Sequence, residues 1–321
     1  MKVSPLLQTM KMKNKMFKIK NNEELLLLSK ASGKSKEWLL AHPEYKNFWA
    51  LLKYKYYLHK LKKGIPTAYI LGHKEFFNLD FLVNRHTLIP RPDTEILVDE
   101  AIKEITNIQY SIFNILFIDV GTGTGCIPIS ILQRLNKLSS RDLQGRGDHT
   151  VGLLCYARND TANIIAIATD ISKGALKIAK KNAKKYKINI RFFCGNLLSP
   201  IFKSLQFLQS LESLQSIVIT ANLPYLKEEW WKNEPSIQHE PKSALVSDNE
   251  TGLNIYKQLL SQIVNLKSKI KNQKLIIFLE IDPRQSSQIF GLIQKHLPAA
   301  NVEIIKDLSG FDRVVKIELL N

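Results

Sequence analysis

Apolar residues recur at mixed three- and four-residue spacing over Glu23–Leu28, Ser35–Ala41 and Glu44–Leu61, a rhythm that predicts short amphipathic helices. Ser35 ahead of Trp38 and Leu39 reads as a helix cap. Residues 1–75 are therefore expected to form a small helical domain. From Phe76 the period drops to two, through Phe77-Asn78-Leu79-Asp80-Phe81-Leu82-Val83, and is followed by the Pro-punctuated Ile89-Pro90-Arg91-Pro92-Asp93-Thr94-Glu95. Residues 76–95 thus read as a hairpin and linker.

From residue 96 to 321 strand and helix patterns alternate. Helices are expected at Ile96–Ile105, Ile127–Leu135, Lys173–Tyr186 and Gly252–Leu266, and strands at Ile115–Val120, Ile164–Thr169, Arg191–Cys194, Ile217–Ala221 and Leu275–Ile281. Such alternation implies an α/β domain with a mostly parallel sheet covered on both faces. Val302–Lys306 and Arg313–Leu319 are close enough in sequence for an antiparallel hairpin at the sheet edge. Residues 137–162, with Gly145-Arg146-Gly147-Asp148 and little periodicity, read as a surface insertion.

Composition narrows the picture. A chain of 321 residues with 45% hydrophobic content has ample material for a packed core. Asn114 and Asp119 interrupt the most apolar run, Tyr110 to Leu132, so no membrane span is expected. Cys126, Cys155 and Cys194 have no CxxC spacing, which excludes a zinc ribbon and a disulfide framework and fits a reducing, cytoplasmic setting. The Lys-rich, acid-free first 22 residues lack the continuous apolar core of an export signal. Formal charge is +17, from 46 basic against 29 acidic residues, which points towards a polyanionic contact such as nucleic acid or the ribosome. Only nine of those basic residues are Arg, and the seven Lys of Lys173–Lys187 read first as a solvated helix face. The weak contact therefore ranks below the motifs.

Candidate chemistry begins at Asp119-Val120-Gly121-Thr122-Gly123-Thr124-Gly125, a glycine-rich turn between a buried strand and a helix. Glycine lets the backbone approach a ligand, and the helix start offers free N–H groups, so a nucleotide-like cofactor is implied at Gly121, Thr122, Gly123, Thr124 and Gly125. The spacing is GxGxG, without a P-loop Lys-Ser/Thr. Asp170 ends the next strand, where a carboxylate accepts ribose hydroxyls or caps the following helix. Asn222-Leu223-Pro224-Tyr225 forms a rigid polar tip after the strand Ile217–Ala221. There the Asn222 side-chain oxygen and the Leu223 carbonyl are suited to accept both hydrogens of a planar –NH₂ group, with Tyr225 stacked on its plane. An ordinary strand-to-loop turn also suits Asn-x-Pro. His239 beside Glu240 reads as a polar loop near the cleft mouth, and no metal-ligand spacing is present.

In that order, Asp119–Gly125, Thr169-Asp170 and Asn222–Tyr225 resemble class I S-adenosylmethionine-dependent methyltransferases that modify amide or exocyclic amine nitrogens. Ala68-Tyr69-Ile70-Leu71-Gly72, Glu75-Phe76-Phe77, Leu88 to Glu95, Glu240-Pro241 with Ala244-Leu245, Gly252-Leu253 with Tyr256, and Asp312-Arg313-Val314-Val315 resemble, more narrowly, the release-factor glutamine methyltransferases of the HemK/PrmC type. The resemblance spans about residues 23 to 320 and implies a Rossmann-like class I methyltransferase sheet behind a small N-terminal helical domain. It also implies S-adenosyl-L-methionine as cofactor, peptide chain release factors as partners, and N5-methylation of the Gln in their Gly-Gly-Gln loop. By position, Gly121 to Gly125 would face the methionine part, Asp170 the ribose, and Asn196 and Leu197 the adenine. Asn222, Leu223, Pro224 and Tyr225 would hold the glutamine, with Asn222 also beside the cofactor and Arg91 and Glu95 on the substrate side.

Two positions depart from the family pattern. Leu223 stands where Pro is usual, and Asn196 where Asp is usual, so one ring constraint and one negative charge are lost. Two other readings stay open at this point. Asn-Leu-Pro-Tyr also resembles the rRNA adenine-N6 methyltransferases, although those place a helical domain after the catalytic one. An inactive ribosome- or RNA-binding protein on the same fold is the other.

Overall fold

Local chemistry sets the boundaries of the first helices. α1 (Asn22–Ser32) starts where the Asn21 side chain accepts the Glu24 N–H and Glu24 in return accepts the Lys20 N–H, and it stops at Gly33 in the left-handed region. α2 (Lys36–Ala41) is capped by Ser35, which accepts the Trp38 N–H at 3.1 Å. α3 (Phe48–Lys62) begins later than the apolar spacing predicts, because Asn47 caps it through the Ala50 N–H and Pro43 lies within the residues before it. α4 (Thr67–Leu71) is a single short turn after Pro66 that periodicity did not foreshadow. Phe17, Leu27, Leu28, Leu39 and Tyr54 form the core of this part of the chain.

The computed structural model describes Phe17 and residues 19–109, 114–145, 164–203, 214–248, 250–270 and 273–319. The chain divides into two compact units, Met1–Lys74 and Glu75–Asn321. No described helix is long and apolar enough to cross a membrane.

At the join, strands β1 (His73–Phe76) and β2 (Leu79–Leu82) form a two-residue hairpin. Its central residues Phe77 and Asn78 both have positive φ, 50° and 56°, as a turn matched to strand twist requires. Asparagine accepts that conformation readily, whereas phenylalanine is held in it by a tertiary bond, its N–H donating to Glu95 at 2.9 Å.

The remaining elements are α5 (Thr94–Gln109), β3 (Ile115–Val120), α6 (Cys126–Gly145), β4 (Ile164–Asp170), α7 (Lys173–Tyr186), β5 (Arg191–Cys194), α8 (Ser199–Phe202) and β6 (Ser216–Ala221). They continue with β7 (Leu226–Lys227), α9 (Glu228–Lys232), β8 (Val246–Asp248), α10 (Asn254–Lys267), β9 (Lys274–Glu280), α11 (Ser286–His296), β10 (Asn301–Lys306) and β11 (Asp312–Leu319). The main sheet runs β5-β4-β3-β6-β9-β11-β10 among the described residues. β5, β4, β3, β6 and β9 are parallel, and β11 lies antiparallel to both β9 and β10.

β3 is central and buried along its whole length. Leu116, Ile118 and Val120 enter the core on one sheet face, and Ile115 and Phe117 the core on the other. A strand walled on both sides reads as a continuous apolar run, which is why Asp119 stands out within it. Chain order reverses at β3, where β4 leaves to one side and β6 to the other. Val120 is level with Thr169 and with Ala221, so the three strands end side by side and open a crevice at their carboxyl ends.

Besides α3 and α4, two further features differ from the sequence pattern. α6 runs on to Gly145, nine residues into the stretch expected to be an insertion from residue 137; an amphipathic helix persists past its last strongly periodic apolar position when nothing breaks it. The rest of that stretch, 146–162, lies outside the described residues. α11 had no counterpart in the apolar pattern, although it buries Ile289 and Ile293.

Candidate active site

A cavity of about 470 Å³ opens at the crevice, lined among others by Gly121 to Thr124, Asp170, Asn196, Leu197, Asn222, Leu223 and Pro224. The sheet brings together residues that lie a hundred positions apart in sequence.

The glycine bend is shaped by its neighbours. The Gly121 and Thr122 N–H groups both donate to the Thr169 carbonyl at 2.9 Å, turning the chain sharply off β3. Gly121 has φ +73°, and a Cβ there would lie 2.7 Å from the Leu223 side chain. Glycine is thus demanded twice, by dihedral and by space. The same contact fixes the distance between bend and tip, since the Leu223 side chain packs directly against the bend. The Thr122 hydroxyl is buried next to Asp119, whose proton affinity it lowers, beside the ligand space that its residue lines.

Asp170 ends β4 in the cavity wall. Its oxygens accept the Gly123 N–H at 2.8 Å and the Ser172 N–H at 2.7 Å, so the carboxylate buttresses the bend. Burial pushes its proton affinity up while those two amides pull it down, with a net rise. It does not cap α7; Ser172 does, accepting the Ala175 N–H. Lone pairs on both oxygens remain for a diol. On the other side Leu197, at φ +53°, and the exposed Ile171 offer apolar surface. Asn196 also lines the cavity, and its amide donates to Gln258 at 3.4 Å.

At the tip, the Asn222 amide nitrogen donates to the buried Thr94 hydroxyl at 3.1 Å, which leaves Oδ1 as the acceptor that Asn222 brings to the cavity. Leu223 has an N–H that a proline would lack, and it donates to the Tyr256 hydroxyl at 3.2 Å. Tyr256 in turn donates to the Glu280 carbonyl. The departure from the family's proline is therefore satisfied internally. The Tyr225 carbonyl accepts from Gln285 at 2.9 Å, and the same Gln285 nitrogen donates to Thr251 at 2.8 Å.

Two expected substrate residues, Tyr225 and Glu95, are not among those lining the cavity, and a third, Arg91, is. Tyr225 is not among the lining residues; its phenol points to Glu280 at 3.3 Å, and burial holds its proton affinity well above the ordinary phenol value. That bond ties the tip to the end of β9. Glu95 is likewise outside the cavity, with its carboxylate on the Phe77 N–H. Arg91 does line the cavity, held by an ion pair to the buried Glu240. Glu240 also accepts the Ile89 N–H at 2.9 Å, so the residue beside His239 fastens the Pro-punctuated loop.

The sequence patterns gave no role to five supporting residues, Thr94, Asn182, Tyr256, Glu280 and Gln285, although Thr94 and Tyr256 fall within the blocks that resemble the family. Asn182, fully buried on the Lys-rich α7, donates to the carbonyls of Leu82 and Thr124 and accepts the Leu82 N–H, joining hairpin, helix and glycine bend. Glu280 is a carboxylate ending an apolar strand, a signal of the same kind as Asp170. Among the described residues no cluster of metal-ligating side chains occurs.

A glycine bend after the central strand, an acid closing its neighbour, a polar tip on the strand beyond, and this strand order define a class I methyltransferase. The residues fit the cofactor of that class: a glycine bend, with no room for a side chain at Gly121, for a polar head, a carboxylate for a diol, and apolar walls for a flat ring.

Within that class, the chain belongs to the release factor glutamine methyltransferase family. It is 31% identical over 265 residues to the release factor glutamine methyltransferase of Bacillus anthracis, covering 82% of this chain and 80% of that protein. With the Enterococcus faecalis protein of the same description it shares 33% identity over 264 residues, covering 81% and 78%. A solved protein-(glutamine-N5) methyltransferase (release factor-specific) from Alicyclobacillus acidocaldarius superposes with a TM-score of 0.37 at 20% identity, over 75% of this chain and 100% of that one. No family model matches the chain.

Proposed function

We propose that this protein transfers a methyl group from S-adenosyl-L-methionine to the side-chain amide nitrogen, N5, of the glutamine in the Gly-Gly-Gln loop of a peptide chain release factor, in the cytoplasm. The observation that carries this reading is the Asn222 carboxamide, turned by Thr94 so that its oxygen is the acceptor, on a tip packed against the glycine bend. Bound there, S-adenosyl-L-methionine supplies an electrophilic methyl on sulfur.

An amide nitrogen is a poor nucleophile because its lone pair is delocalised into the carbonyl. Positioning must therefore provide most of the acceleration, and well-oriented reactants gain roughly 7–11 kcal/mol over free encounter. Asn222 Oδ1 and the Leu223 carbonyl accept the two amide hydrogens and fix the plane of the glutamine. The same two oxygens stabilise positive charge as it develops on nitrogen. Pro224 stiffens the tip, and Arg91, which lines the cavity, serves the substrate in this reading. Gly121 to Thr124, Asp170, Asn196 and Leu197 hold the cofactor, while Gly125, outside the lining and closely faced by Ile129 and Ala179, lets the bend pack against the helices. The helical unit over residues 1–74 docks the release factor.

Incubation of the full chain with labelled methyl donor and either a release factor or ribosomal RNA tests this reading. Label on the release factor glutamine is the expected result. Label on adenine of the RNA would favour the RNA methyltransferase reading. Failure to bind S-adenosyl-L-methionine in calorimetry would favour an inactive RNA- or ribosome-binding protein.

A further inference from the structure

We propose that Thr94 and Glu280 are positioning residues that dictate which way round the Asn222 carboxamide faces, through a one-way chain of hydrogen bonds. The proposal rests on Asn222 as the group that receives the substrate amide.

A carboxamide has two similar ends with opposite roles: turned by half a circle, an acceptor oxygen becomes a donor nitrogen. An –NH₂ group of Asn222 facing the –NH₂ of a substrate glutamine would set donor against donor. The tip must therefore specify an orientation as well as a place. Thr94 Oγ lies 3.1 Å from the Asn222 nitrogen and is 2% exposed, so water has little part in deciding its direction. A hydroxyl owns one proton, and its direction follows from where that proton goes.

Glu280 accepts the Tyr225 hydroxyl on Oε1 at 3.3 Å, while its Oε2 is buried with no partner of its own and so is an open acceptor; the neighbouring Thr94 hydroxyl lowers the proton affinity of the carboxyl. Glu280 is fully buried at the end of β9, and an ionised carboxylate only accepts. It therefore draws the Thr94 proton and leaves lone pairs towards Asn222. Those lone pairs accept the Asn222 N–H, and Oδ1 is left for the cavity. No member of the chain except Asn222 needs to touch the substrate.

The groups around Glu280 favour its ionised form only in part. Tyr225 donates from the tip, Arg313 on β11 adds positive charge, Asp93 in the preceding loop opposes it, and the Tyr256 hydroxyl binds the Glu280 carbonyl. Arg313 is shared with Asp307 at 3.1 Å and Asp93 at 3.2 Å. Burial outweighs these and raises the carboxyl to about 7. A protonated Glu280 would be able to donate to Thr94 and release the direction of the chain, so turnover should rise as pH climbs through that value.

The test uses the full-length protein, a release factor as acceptor and S-adenosyl-L-methionine as donor, with Thr94→Val, Thr94→Ser, Glu280→Gln and Asn222→Ala compared. Thr94→Val is expected to lower kcat about tenfold or more with cofactor Kd within about twofold, whereas Thr94→Ser stays within about threefold of the parent. The parent kcat is expected to show an acidic limb near 7 that Glu280→Gln removes. Equal losses in Thr94→Ser and Thr94→Val overturn the proposal, as does a Thr94→Val enzyme near parent turnover while Asn222→Ala is dead. Should Thr94→Val not fold, the Ser variant and the pH profile decide: a parent without the limb, or a Glu280→Gln enzyme that keeps it, removes Glu280 from the chain. Normal turnover by Asn222→Ala would instead sink the underlying assignment of Asn222, a result distinct from all of these.

Discussion

A side chain's chemistry at this site is decided by the partner it already has. Asn222, Asp170 and Tyr225 look equally available in the sequence, yet Asn222 keeps one acceptor for the cavity, Asp170 holds two amides, and Tyr225 is turned onto Glu280. Asn222→Ala should accordingly abolish transfer while leaving cofactor affinity within about tenfold, since the removed group acts on the acceptor amide. Single-turnover transfer beside calorimetric titration checks this, and equal loss of both would contradict the assignment. Leu223 shows the reverse case. Its N–H is an extra polar group beside a buried site, and only the Tyr256 hydroxyl makes it harmless.

Elements place these residues through a few tight approaches. Gly252, in the segment between β8 and α10, has φ +76°, and a Cβ there would lie 2.2 Å from the Tyr225 carbonyl oxygen and 2.6 Å from the Gln285 amide. Backbone cannot yield as a flexible side chain does, so Gly252→Ala must push the tip or break the Gln285 bond. A loss of about 2–3 kcal/mol in stability is expected, with reduced kcat, measured by urea midpoint and by methyl transfer. Element positions were largely legible in sequence wherever one rule dominated. The Ser35 cap, the buried run of β3 and the amphipathic α7 are such cases. α4 and α11 were not, because a five-residue turn has no full period and α11 mixes its apolar positions with polar ones; packing supplies what periodicity lacks.

Across the whole molecule, burial of acids sets a pH dependence that surface charge does not show. Asp119 lies within β3 with one oxygen on Thr220 at 2.7 Å and the Thr122 hydroxyl beside it, and burial outweighs both and pushes it up to about 6 from 3.8. A carboxyl that holds its proton more tightly folded than unfolded stabilises the fold below its unfolded value, and that contribution is lost as pH rises through the folded one. The stability of the parent relative to Asp119→Asn should therefore decline between about pH 4 and 6, by up to about 3 kcal/mol. Urea unfolding of both proteins at the two pH values measures it, and a constant difference would contradict the sign. Glu104 acts in the opposite sense, because Lys274 and Lys316 bind it and, despite its burial, hold it below the usual carboxylate range.

The sequence by itself determined the alternating α/β order, the glycine bend, the acid at the end of β4 and the rigid Asn-x-Pro tip, because each follows from rules acting over a few neighbouring residues. Only the tertiary structure decided which oxygen of Asn222 is left for a ligand, that Tyr225 and Glu95 serve the scaffold, and that Thr94, Asn182, Glu280 and Gln285 hold the site. Hydrogen-bond direction and burial depend on groups brought together from distant segments, Asn222 from Thr94 and Leu82 from Asn182, and no local pattern encodes such a pairing.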